Sequence, residues 1–262
     1  NDFVIIDTRQ KIINLTKEQI IKICDRNFIG CDQLIFIKKN QTSDAALEFY
    51  NSDGGVSGAC GNGTRCVANL LSKESDKKEI ILTTLSGDLK SQIIDEKLVS
   101  TEIGVAKTRW NEIPLSEDLD TNNLKIKLMD LNKNEFFGGT AVNVGNPHVI
   151  FFVDNNKNFE IKKIGPEIES HSLFPEKCNV TLATVVNREL INVRVWERGA
   201  GLTKACGTAA CATAFAAKQN GLANDKVDIE FSTGRLSISI DINNSIHMKG
   251  PVSDIKDINF EI

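Results

Sequence analysis

Two cysteines in matching surroundings, Cys60 and Cys206, are the residues of this chain best suited to chemistry. Each is preceded by alanine and followed by glycine, and about 146 positions separate them. Each also stands at the predicted start of a helix. There, unpaired backbone N–H groups and the positive end of the helix dipole favour a thiolate and can hold a carboxylate. A thiol in such a position is suited to proton transfer.

Two equivalent cysteines in two equivalent halves suggest paired chemistry. If the halves close on each other, the two sulfurs would face one another across a cleft. One sulfur would then remove a proton from a carbon next to a carboxylate, and the other would return a proton to the opposite face. Two helix N-termini aimed at that carboxylate would stabilise the carbanion without an electron sink. We therefore expect inversion at carbon without a cofactor.

Other uses of the cysteines must be weighed against this one. A free cysteine is most often a small buried hydrophobic residue, and this is our interpretation of Cys24, Cys66 and Cys211. Zinc is a rival use, but the chain has no Cys-x-x-Cys pair, and the cysteine spacings within each half lie outside the usual ligand spacings. Only three histidines could add ligands: His148, His171 and His247. We expect no metal site.

The same succession of elements is predicted around both cysteines: a strand, a glycine-bearing loop, the cysteine and a helix. Residues 47–52 align without gaps to residues 193–198, and both runs are typical of strands. The stretches after the cysteines are small and apolar, with helical composition. Further along, residues 82–89 and 229–236 both predict a strand, a turn and a strand. One additional helix is predicted at residues 17–25.

This repeat predicts a duplicated fold. A period of this length favours two similar domains over a repeat array, and 262 residues suffice for two packed cores. We predict an α+β fold of two pseudo-symmetric duplicated domains, each a mixed β-sheet wrapped around a central helix, with the active site in the cleft between them. Residues 1–106 with 251–262 would form the domain carrying Cys60, and residues 107–250 the domain carrying Cys206.

The composition of the chain limits the classes of binding partner and the cellular compartment that we expect. The net charge is −4 and the sequence has no run of basic residues, so we do not expect the protein to bind nucleic acid. No run of eighteen apolar residues is present, so we expect no membrane span. Seven cysteines, an odd number in a chain too large to need disulfides, fit the reducing cytoplasm. A small-molecule substrate is the expected partner.

The motifs around both cysteines, taken in their order along the chain, resemble those of the diaminopimelate epimerase family. They lie at residues 51–55, 59–66, 145–148, 197–201 and 205–208. The resemblance implies a pyridoxal-independent enzyme that interconverts LL- and meso-diaminopimelate in bacterial lysine and peptidoglycan synthesis. It also implies a homodimer, although Lys256 stands where the family often has a tyrosine linked to dimer contacts.

The resemblance also assigns roles to single residues. It implies that Cys60 and Cys206 are the acid and base, and that His148 and Glu197 adjust their protonation. Around the substrate it places Asn1, Gln33, Asn51, Gly61, Asn62, Asn146, Asn179, Glu197, Arg198, Gly207 and Thr208. Arg198 offers a planar fork for a carboxylate, and Glu197 can accept from an ammonium group. Taken alone, the asparagines are also found in turns, which is the less favoured interpretation, and His148 is equally typical of a buried core imidazole.

Two other classes of protein remain open. The first is another cofactor-independent racemase on the same scaffold, acting on proline, hydroxyproline or histidine. Those substrates have no second amino-acid end to fill a clamp made by Glu197 and Arg198. The second is a relative like the phenazine-biosynthesis proteins, which kept the fold and lost the thiols. The presence of Cys60 and Cys206 argues against it.

Overall fold

The computed structural model describes residues 2–58 and 60–261, and the chain divides into two compact units. One unit is formed by Asn1–Glu102 together with Lys249–Ile262, and the other by Ile103–Met248. The boundaries predicted from the sequence, after residues 106 and 250, lie a few residues further along the chain. The last residues thus belong with the first unit, as do residues 251–262 in the prediction.

The first unit is a mixed sheet with a helix on each face. Its strands are β1 (Phe3–Asp7), β2 (Gln33–Lys38), β3 (Ala45–Asn51), β4 (Val56–Ser57), β5 (Glu79–Thr84), β6 (Gly87–Asp95) and β7 (Leu98–Val105), and its helices are α1 (Lys17–Cys24) and α2 (Gly61–Ser75). The strand order is β1-β2-β3-β5-β6-β7, and β4 pairs with β3. The pairs β1–β2 and β3–β5 are parallel, and the other pairs are antiparallel.

The alternation of side chains along β2 explains why both faces of this sheet are covered. Ile35 packs in one core with Val67 of α2, whereas its neighbour Leu34 packs in a second core with Ile20 of α1. Successive strand residues point to opposite faces. Helix α1 begins at Thr16, which forms a capping box with the residue three positions on. The predicted helix at residues 17–25 is confirmed.

The second unit repeats this arrangement and adds three strands. Its strands are β8 (Ile126–Met129), β9 (Glu135–Gly138), β10 (Thr140–Asn143), β11 (Pro147–Phe152), β12 (Asn179–Asn187), β13 (Leu190–Glu197), β14 (Gly201–Thr203), β15 (Lys226–Phe231), β16 (Gly234–Ile240) and β17 (Ser245–Pro251), and its helices are α3 (Ile161–Glu169) and α4 (Gly207–Gln219), with one 3-10 turn at Asn156–Asn158. The strand order is β10-β11-β12-β13-β15-β16-β17, in which β10 has no equivalent in the first unit. Strand β14 pairs with β13, and β8 and β9 form a separate two-stranded sheet.

The strand pairings confirm the predicted duplication. The pairs β11–β12 and β13–β15 are parallel, like β1–β2 and β3–β5, while β12–β13 and β15–β16 are antiparallel, like β2–β3 and β5–β6. Helices α3 and α4 follow the same strands as α1 and α2. The mixed α+β fold with duplicated domains is therefore the observed one.

The central helix of the second unit is lined with alanine. Its alanines, at positions 209, 210, 212, 214, 216 and 217, are all 0% exposed and belong to one core with strands β13, β15 and β16. Small side chains let the surrounding strands approach the helix backbone closely.

Helix α3 was not predicted from the sequence. Gly165 and Pro166 lie inside it, and both residues have low helix propensity. Its buried face nevertheless carries Ile161, Ile164 and Ile168, which join the second core of this unit. Tertiary packing of that apolar face therefore outweighs local propensity.

Candidate active site

Cys60 is the residue at which helix α2 begins, and its side chain caps that helix. Its backbone is extended (φ −143°, ψ 103°), and its Sγ accepts a hydrogen bond from the Gly63 N–H at 3.4 Å. The Cys60 carbonyl accepts from both the backbone N–H and the hydroxyl of Thr64, each at 2.8 Å. The sulfur thus lies where free N–H groups and the helix dipole favour negative charge.

Gly63 lets the first turn of α2 lie directly on the sheet. A Cβ at this position would come within 2.7 Å of Ile35 Cδ1, 3.1 Å of Phe49 Cε1 and 3.5 Å of Cys60 Sγ. Ile35 and Phe49 are paired across β2 and β3 and are both fully buried. This rigid packing beneath Gly63 determines where the Cys60 sulfur lies.

Burial has the largest effect on the Cys60 thiol. The residue keeps partial exposure, but its sulfur is surrounded by protein atoms, and burial raises the pKa of the thiol to about 11. The Gly63 N–H and the charge of Arg65 act in the opposite direction. Cys60 is therefore a protonated thiol at neutral pH.

Gln33 and Asn51, both expected at the substrate, form a pair across β2 and β3. The Gln33 Nε2 donates to Asn51 Oδ1 at 2.9 Å. Asn51 also begins a tight turn, in which the Gly54 N–H donates to the Asn51 carbonyl at 2.9 Å and Gly54 has φ +76°. Among the hydrogen bonds of the described residues, none joins this pair to Cys60.

Cys206 occupies the same position in the second unit, at the start of α4. Its backbone is extended (φ −142°, ψ 116°), and the residue is 5% exposed. Its Sγ lies 3.4 Å from Thr208 Oγ1. Gly207, expected near the reacting carboxylate, is the first residue of α4, as Gly61 is of α2. Both cysteines are therefore the N-cap residues of buried central helices.

Glu197 and burial together hold the Cys206 proton in place. Burial raises the pKa of the Cys206 thiol well above its usual value, and the charge of Glu197 and its side-chain hydrogen bond raise it further. The Thr208 hydroxyl and the Ala209 N–H act in the opposite direction. A carboxylate can only accept a proton or a hydrogen bond from a thiol. Cys206 thus has an acceptor for its proton beside it.

A chain of hydrogen bonds connects His148 to the Cys206 sulfur. His148 Nε2 lies 2.9 Å from Asn146 Oδ1, and Asn146 Nδ2 donates to Thr208 Oγ1 at 3.4 Å. With the Asn146 oxygen facing His148, the imidazole proton is on Nε2, and the Thr208 hydroxyl remains free to donate to Cys206 Sγ. Three residues expected in the site are therefore brought together with the cysteine.

His148 is an uncharged imidazole. It is 0% exposed, and its Nδ1 has no hydrogen-bond partner among the residues that the structure describes. Burial, aided by the positive charge of Arg198, lowers the pKa of His148 to about 3. The neutral form is therefore present throughout the physiological pH range.

Asn179 connects the Glu197–Arg198 segment to β11. Its Oδ1 accepts from the Arg198 backbone N–H at 3.0 Å, and its Nδ2 donates to the Pro147 carbonyl at 3.0 Å. Arg198 Nη1 donates to the Glu176 carbonyl at 2.8 Å. Asn179, expected to bind substrate, thus also holds the protein together, and its direct contact with substrate stays a prediction.

Glu169 is a residue of this region that the sequence analysis missed. It is the last residue of α3, it is 7% exposed, and its carboxylate accepts from Trp196 Nε1 at 2.7 Å and from the Gly199 N–H at 3.2 Å. The repeat could have indicated helix α3, which lies one period after α1, but it does not single out Glu169 within that helix.

Two residues expected at the substrate, Asn62 and Asn1, remain to be placed. Asn62 lies in the first turn of α2, where its Oδ1 accepts from Arg65 Nη2 at 3.0 Å. Asn1 lies outside the described residues.

Within the described part of the chain, no three His, Cys, Asp or Glu side chains are grouped so that they could hold a metal ion. No helix in residues 2–58 or 60–261 is both long and apolar enough to span a membrane.

Comparison with known proteins adds family relationships to this geometry. A family model described as Diaminopimelate epimerase matches residues 1–108 and 140–255. The chain is 68% identical over 262 residues to the diaminopimelate epimerase of Pelagibacter ubique, covering 100% of this chain and 96% of the relative. It is 43% identical over 254 residues to that of Phenylobacterium zucineum, covering 97% and 91%.

Solved structures show the same fold at low identity. A predicted epimerase from Pseudomonas aeruginosa aligns with a TM-score of 0.66 and 13% identity, covering 98% of this chain and 93% of that one. A hydroxyproline epimerase from Agrobacterium vitis aligns with a TM-score of 0.62 and 13% identity, covering 89% and 76%. At such identity these structures bear on the fold alone.

Proposed function

This chain belongs to the diaminopimelate epimerase family, and on that premise we propose that it interconverts LL- and meso-diaminopimelate with Cys60 and Cys206 as acid and base. The reaction inverts one α carbon and serves lysine and peptidoglycan synthesis. The observation that carries the proposal is the equivalent placement of the two cysteines, each the N-cap of the central helix of a duplicated unit.

The proposed reaction consists of two proton transfers. A thiolate from one cysteine removes the α hydrogen as a proton, and the electron pair of the C–H bond stays on carbon. The thiol of the other cysteine then gives its proton to the opposite face of that carbon. The N–H groups at the starts of α2 and α4 supply fixed positive dipoles for the substrate carboxylate, which spreads the carbanion charge. No cofactor takes part in these steps.

One thiol must lose its proton before turnover, because the pKa values of both are raised in the free protein. The charge of Glu197 opposes this loss at Cys206, and Glu197 is also the carboxylate to which the Cys206 proton would pass. The Thr208 hydroxyl, oriented through Asn146 and His148, offers a hydrogen bond to the resulting thiolate. We therefore assign Glu197 and His148 to adjusting the protonation of Cys206.

The distal, non-reacting end of diaminopimelate would be recognised by charged groups. Arg198 is held by one bond to Glu176 and has further N–H donors for a carboxylate. Glu197 would accept from the ammonium group, and Asn51, Asn146 and Asn179 would test the stereochemistry of that centre through directional bonds. Backbone N–H groups around Gly61, Asn62, Gly207 and Thr208 would bind the reacting carboxylate, with Gln33 and Asn1 completing the pocket. Such a clamp favours diaminopimelate over proline, hydroxyproline or histidine.

The setting of the enzyme follows the same premise. We place it in the cytoplasm, which is supported by the seven cysteines, none of which forms a disulfide among the described residues. We also expect a homodimer in solution, and sedimentation analysis of the purified protein would measure this.

The experiment that tests the proposal is proton exchange with solvent. Reduced protein is incubated with LL-diaminopimelate in deuterated water without pyridoxal phosphate, and the meso product and its α-deuterium are followed. We expect epimerisation with deuterium incorporation in the wild type. In Cys60→Ala and in Cys206→Ala we expect loss of at least about 10³-fold in kcat, since each removes one proton-transfer group and leaves the other without a partner.

The control variant is Cys66→Ala, which removes a thiol in the next turn of α2 and should retain activity. If the wild type fails to turn over diaminopimelate, the substrate assignment is wrong, and proline, hydroxyproline and histidine become the next substrates to test. If either Cys60→Ala or Cys206→Ala keeps full activity, the two-thiol mechanism is wrong.

A further inference from the structure

Glu169 is a buried carboxylate in a place where its charge is unfavourable. It is the last residue of α3, and negative charge at a helix C-terminus is opposed by the helix dipole. It is 7% exposed, and its charged partner, Lys177, lies 3.6 Å away and is itself mostly exposed. A buried carboxylate needs strong hydrogen bonds to remain charged.

The hydrogen bonds that Glu169 accepts lie on both sides of Glu197 and Arg198. Oε2 accepts from the indole N–H of Trp196, directly before them, at 2.7 Å, and Oε1 accepts from the backbone N–H of Gly199, directly after them, at 3.2 Å. One carboxylate therefore holds both ends of a dipeptide that carries two site residues.

The segment that Glu169 holds is the turn between β13 and β14. It is a turn in which the Ala200 N–H donates to the Glu197 carbonyl at 3.0 Å, and both Gly199 and Gly201 have positive φ, at +74° and +82°. Glycines in this region of backbone space allow many alternative conformations. Asn179 anchors only the Arg198 N–H. The turn is also restrained by the pairing of Glu197 with Gly201 across β13 and β14 and by the bond from Arg198 Nη1 to the Glu176 carbonyl. Glu169 adds the bonds from Trp196 and Gly199, which no other described residue accepts.

The contact between α3 and Trp196 is built into the fold. A Cβ at Gly165 would lie 2.4 Å from Trp196 Cγ and 2.8 Å from its Cβ, so α3 rests directly on the indole. Gly165 and Glu169 lie one helical turn apart and therefore share a face of α3. The glycine admits the ring, and the carboxylate binds its N–H.

We propose that Glu169 is a positioning residue, which holds the Glu197–Arg198 turn so that Glu197 reaches Cys206 and Arg198 reaches the substrate carboxylate. The role of Arg198 in this inference rests on the proposed function. The role of Glu197 does not depend on substrate, because Glu197 acts on the Cys206 thiol of the protein itself.

The consequence for Cys206 has a definite direction. Glu197 raises the pKa of the Cys206 thiol, so a displaced turn would let that pKa fall. The titratable and charged groups around Cys206 are Glu197 on β13 and, through Thr208 and Asn146, His148 on β11. Those around Glu169 are Lys177 and Cys178.

Three variants separate positioning from simple charge and from stability. Glu169→Gln keeps one acceptor oxygen and loses the second, together with the charge. Glu169→Asp keeps the charge but is too short to hold both partners. Trp196→Phe keeps an aromatic ring against α3 and removes the indole N–H, together with part of the volume of the indole. A positioning role predicts the same direction of change in all three variants, whereas a direct charge effect predicts a change in Glu169→Gln alone.

The first readout needs no substrate. Cysteine labelled with ¹³C at Cβ is titrated by NMR, with Cys206→Ser to assign the resonance. We expect the Cys206 midpoint to fall by about one pH unit in Glu169→Gln and Glu169→Asp, which is about a tenfold larger thiolate fraction at a given pH, and by less in Trp196→Phe. The second readout is steady-state epimerisation, where KM for diaminopimelate should rise and kcat/KM fall about tenfold or more through misplacement of the turn.

Thermal denaturation accompanies both readouts, and all kinetics are measured well below the Tm of each variant. A lower Tm with unchanged Cys206 titration and unchanged KM in all three variants would overturn the proposal, as would a shift confined to Glu169→Gln. If Glu169→Gln fails to fold, the other two variants still decide. If the wild type has no activity on diaminopimelate, the proposed function fails, while the NMR titration still tests the positioning role.

Discussion

At the residue scale, both cysteines stand at a helix position where serine, threonine, aspartate or asparagine is usual. At Cys60 the sulfur accepts one long hydrogen bond from Gly63, and at Cys206 no side-chain bond to the helix backbone is present. A thiol caps a helix less well than a hydroxyl or a carboxylate, so these positions sacrifice local stability for reactivity.

His148 makes the stability of the fold depend on pH in a predictable direction. Its pKa is about 3 in the folded protein and about 6.5 when unfolded, so the unfolded chain binds the extra proton between these values. Its contribution to stability is fully present above pH 6.5 and is lost as pH falls toward 3. We expect His148 to account for a decrease of about 1.5 kcal/mol in the free energy of unfolding between pH 6.5 and 5.

The measurement is urea unfolding at several pH values for the wild type and His148→Gln. Glutamine can still donate to Asn146 but cannot be protonated, so the variant should lose this part of the pH dependence while other acidic groups contribute equally to both proteins. Parallel curves of stability against pH for the two proteins would show that His148 is not the group responsible.

At the element scale, the fit of α2 onto the sheet depends on Gly63. We expect Gly63→Ala to lower stability by about 1–3 kcal/mol, because its Cβ would overlap Ile35 Cδ1 in a packed core. We also expect reduced epimerase activity, since moving the first turn of α2 displaces Cys60. Denaturant unfolding and kcat/KM are the two measurements.

A double-mutant cycle with Ile35→Val provides the control. Valine lacks the Cδ1 atom that lies 2.7 Å from the new methyl group, so Gly63→Ala should be less damaging in that background than in the wild type. Additive effects of the two substitutions on stability and activity would mean that this contact does not determine the position of α2.

How far the sequence predicts these elements depends on where their information lies. Helices α2 and α4 and the strands before them are predictable, because their composition and the internal repeat agree. Helix α3 contains Gly165 and Pro166, and the low helix propensity of these two residues argues against a helix there. The internal repeat argues for one, because α1 lies one period earlier in the chain. The bonds of Glu169 to Trp196 and Gly199 join distant parts of the chain, and no local pattern reports such contacts.

At the scale of the whole molecule, equivalent positions in the two duplicated units carry different chemical groups. Asn51 is the last residue of β3, and Glu197 is the last residue of the equivalent strand β13. Ser52 and Arg198 follow them. One unit therefore offers neutral groups where the other offers an acid and a base, which suits a substrate whose two ends must be told apart. The sequence repeat predicts this correspondence, and the strand pairings confirm the alignment on which it rests.

The residues after Pro251 contribute to the stability of the first unit. Val252 lies in the core around α2, its N–H donates to the Lys97 carbonyl at 2.9 Å, and Phe260 packs with the core around α1 and stacks edge-on against Phe28. We expect truncation after Pro251 to lower the stability of this unit by about 2 kcal/mol or more. Hydrogen exchange should accelerate in α1, β6 and β7.

The second unit has cores of its own, so its exchange rates should change little in the truncated chain. A matched control is Lys97→Ala, which breaks the exposed ion pair with Asp254 and should leave stability nearly unchanged, because solvent screens such a pair. Uniform acceleration of exchange in both units on truncation would contradict this view of their independence.

The split composition of the first unit also sets an order of events during synthesis. The second unit, Ile103–Met248, is one continuous segment of the chain. The first unit also needs Lys249–Ile262, which the ribosome synthesises after the whole second unit. Domains fold as their residues emerge from the ribosome. The half with Cys206 can therefore reach its native state on the nascent chain, while the half with Cys60, although made first, is the last to be finished.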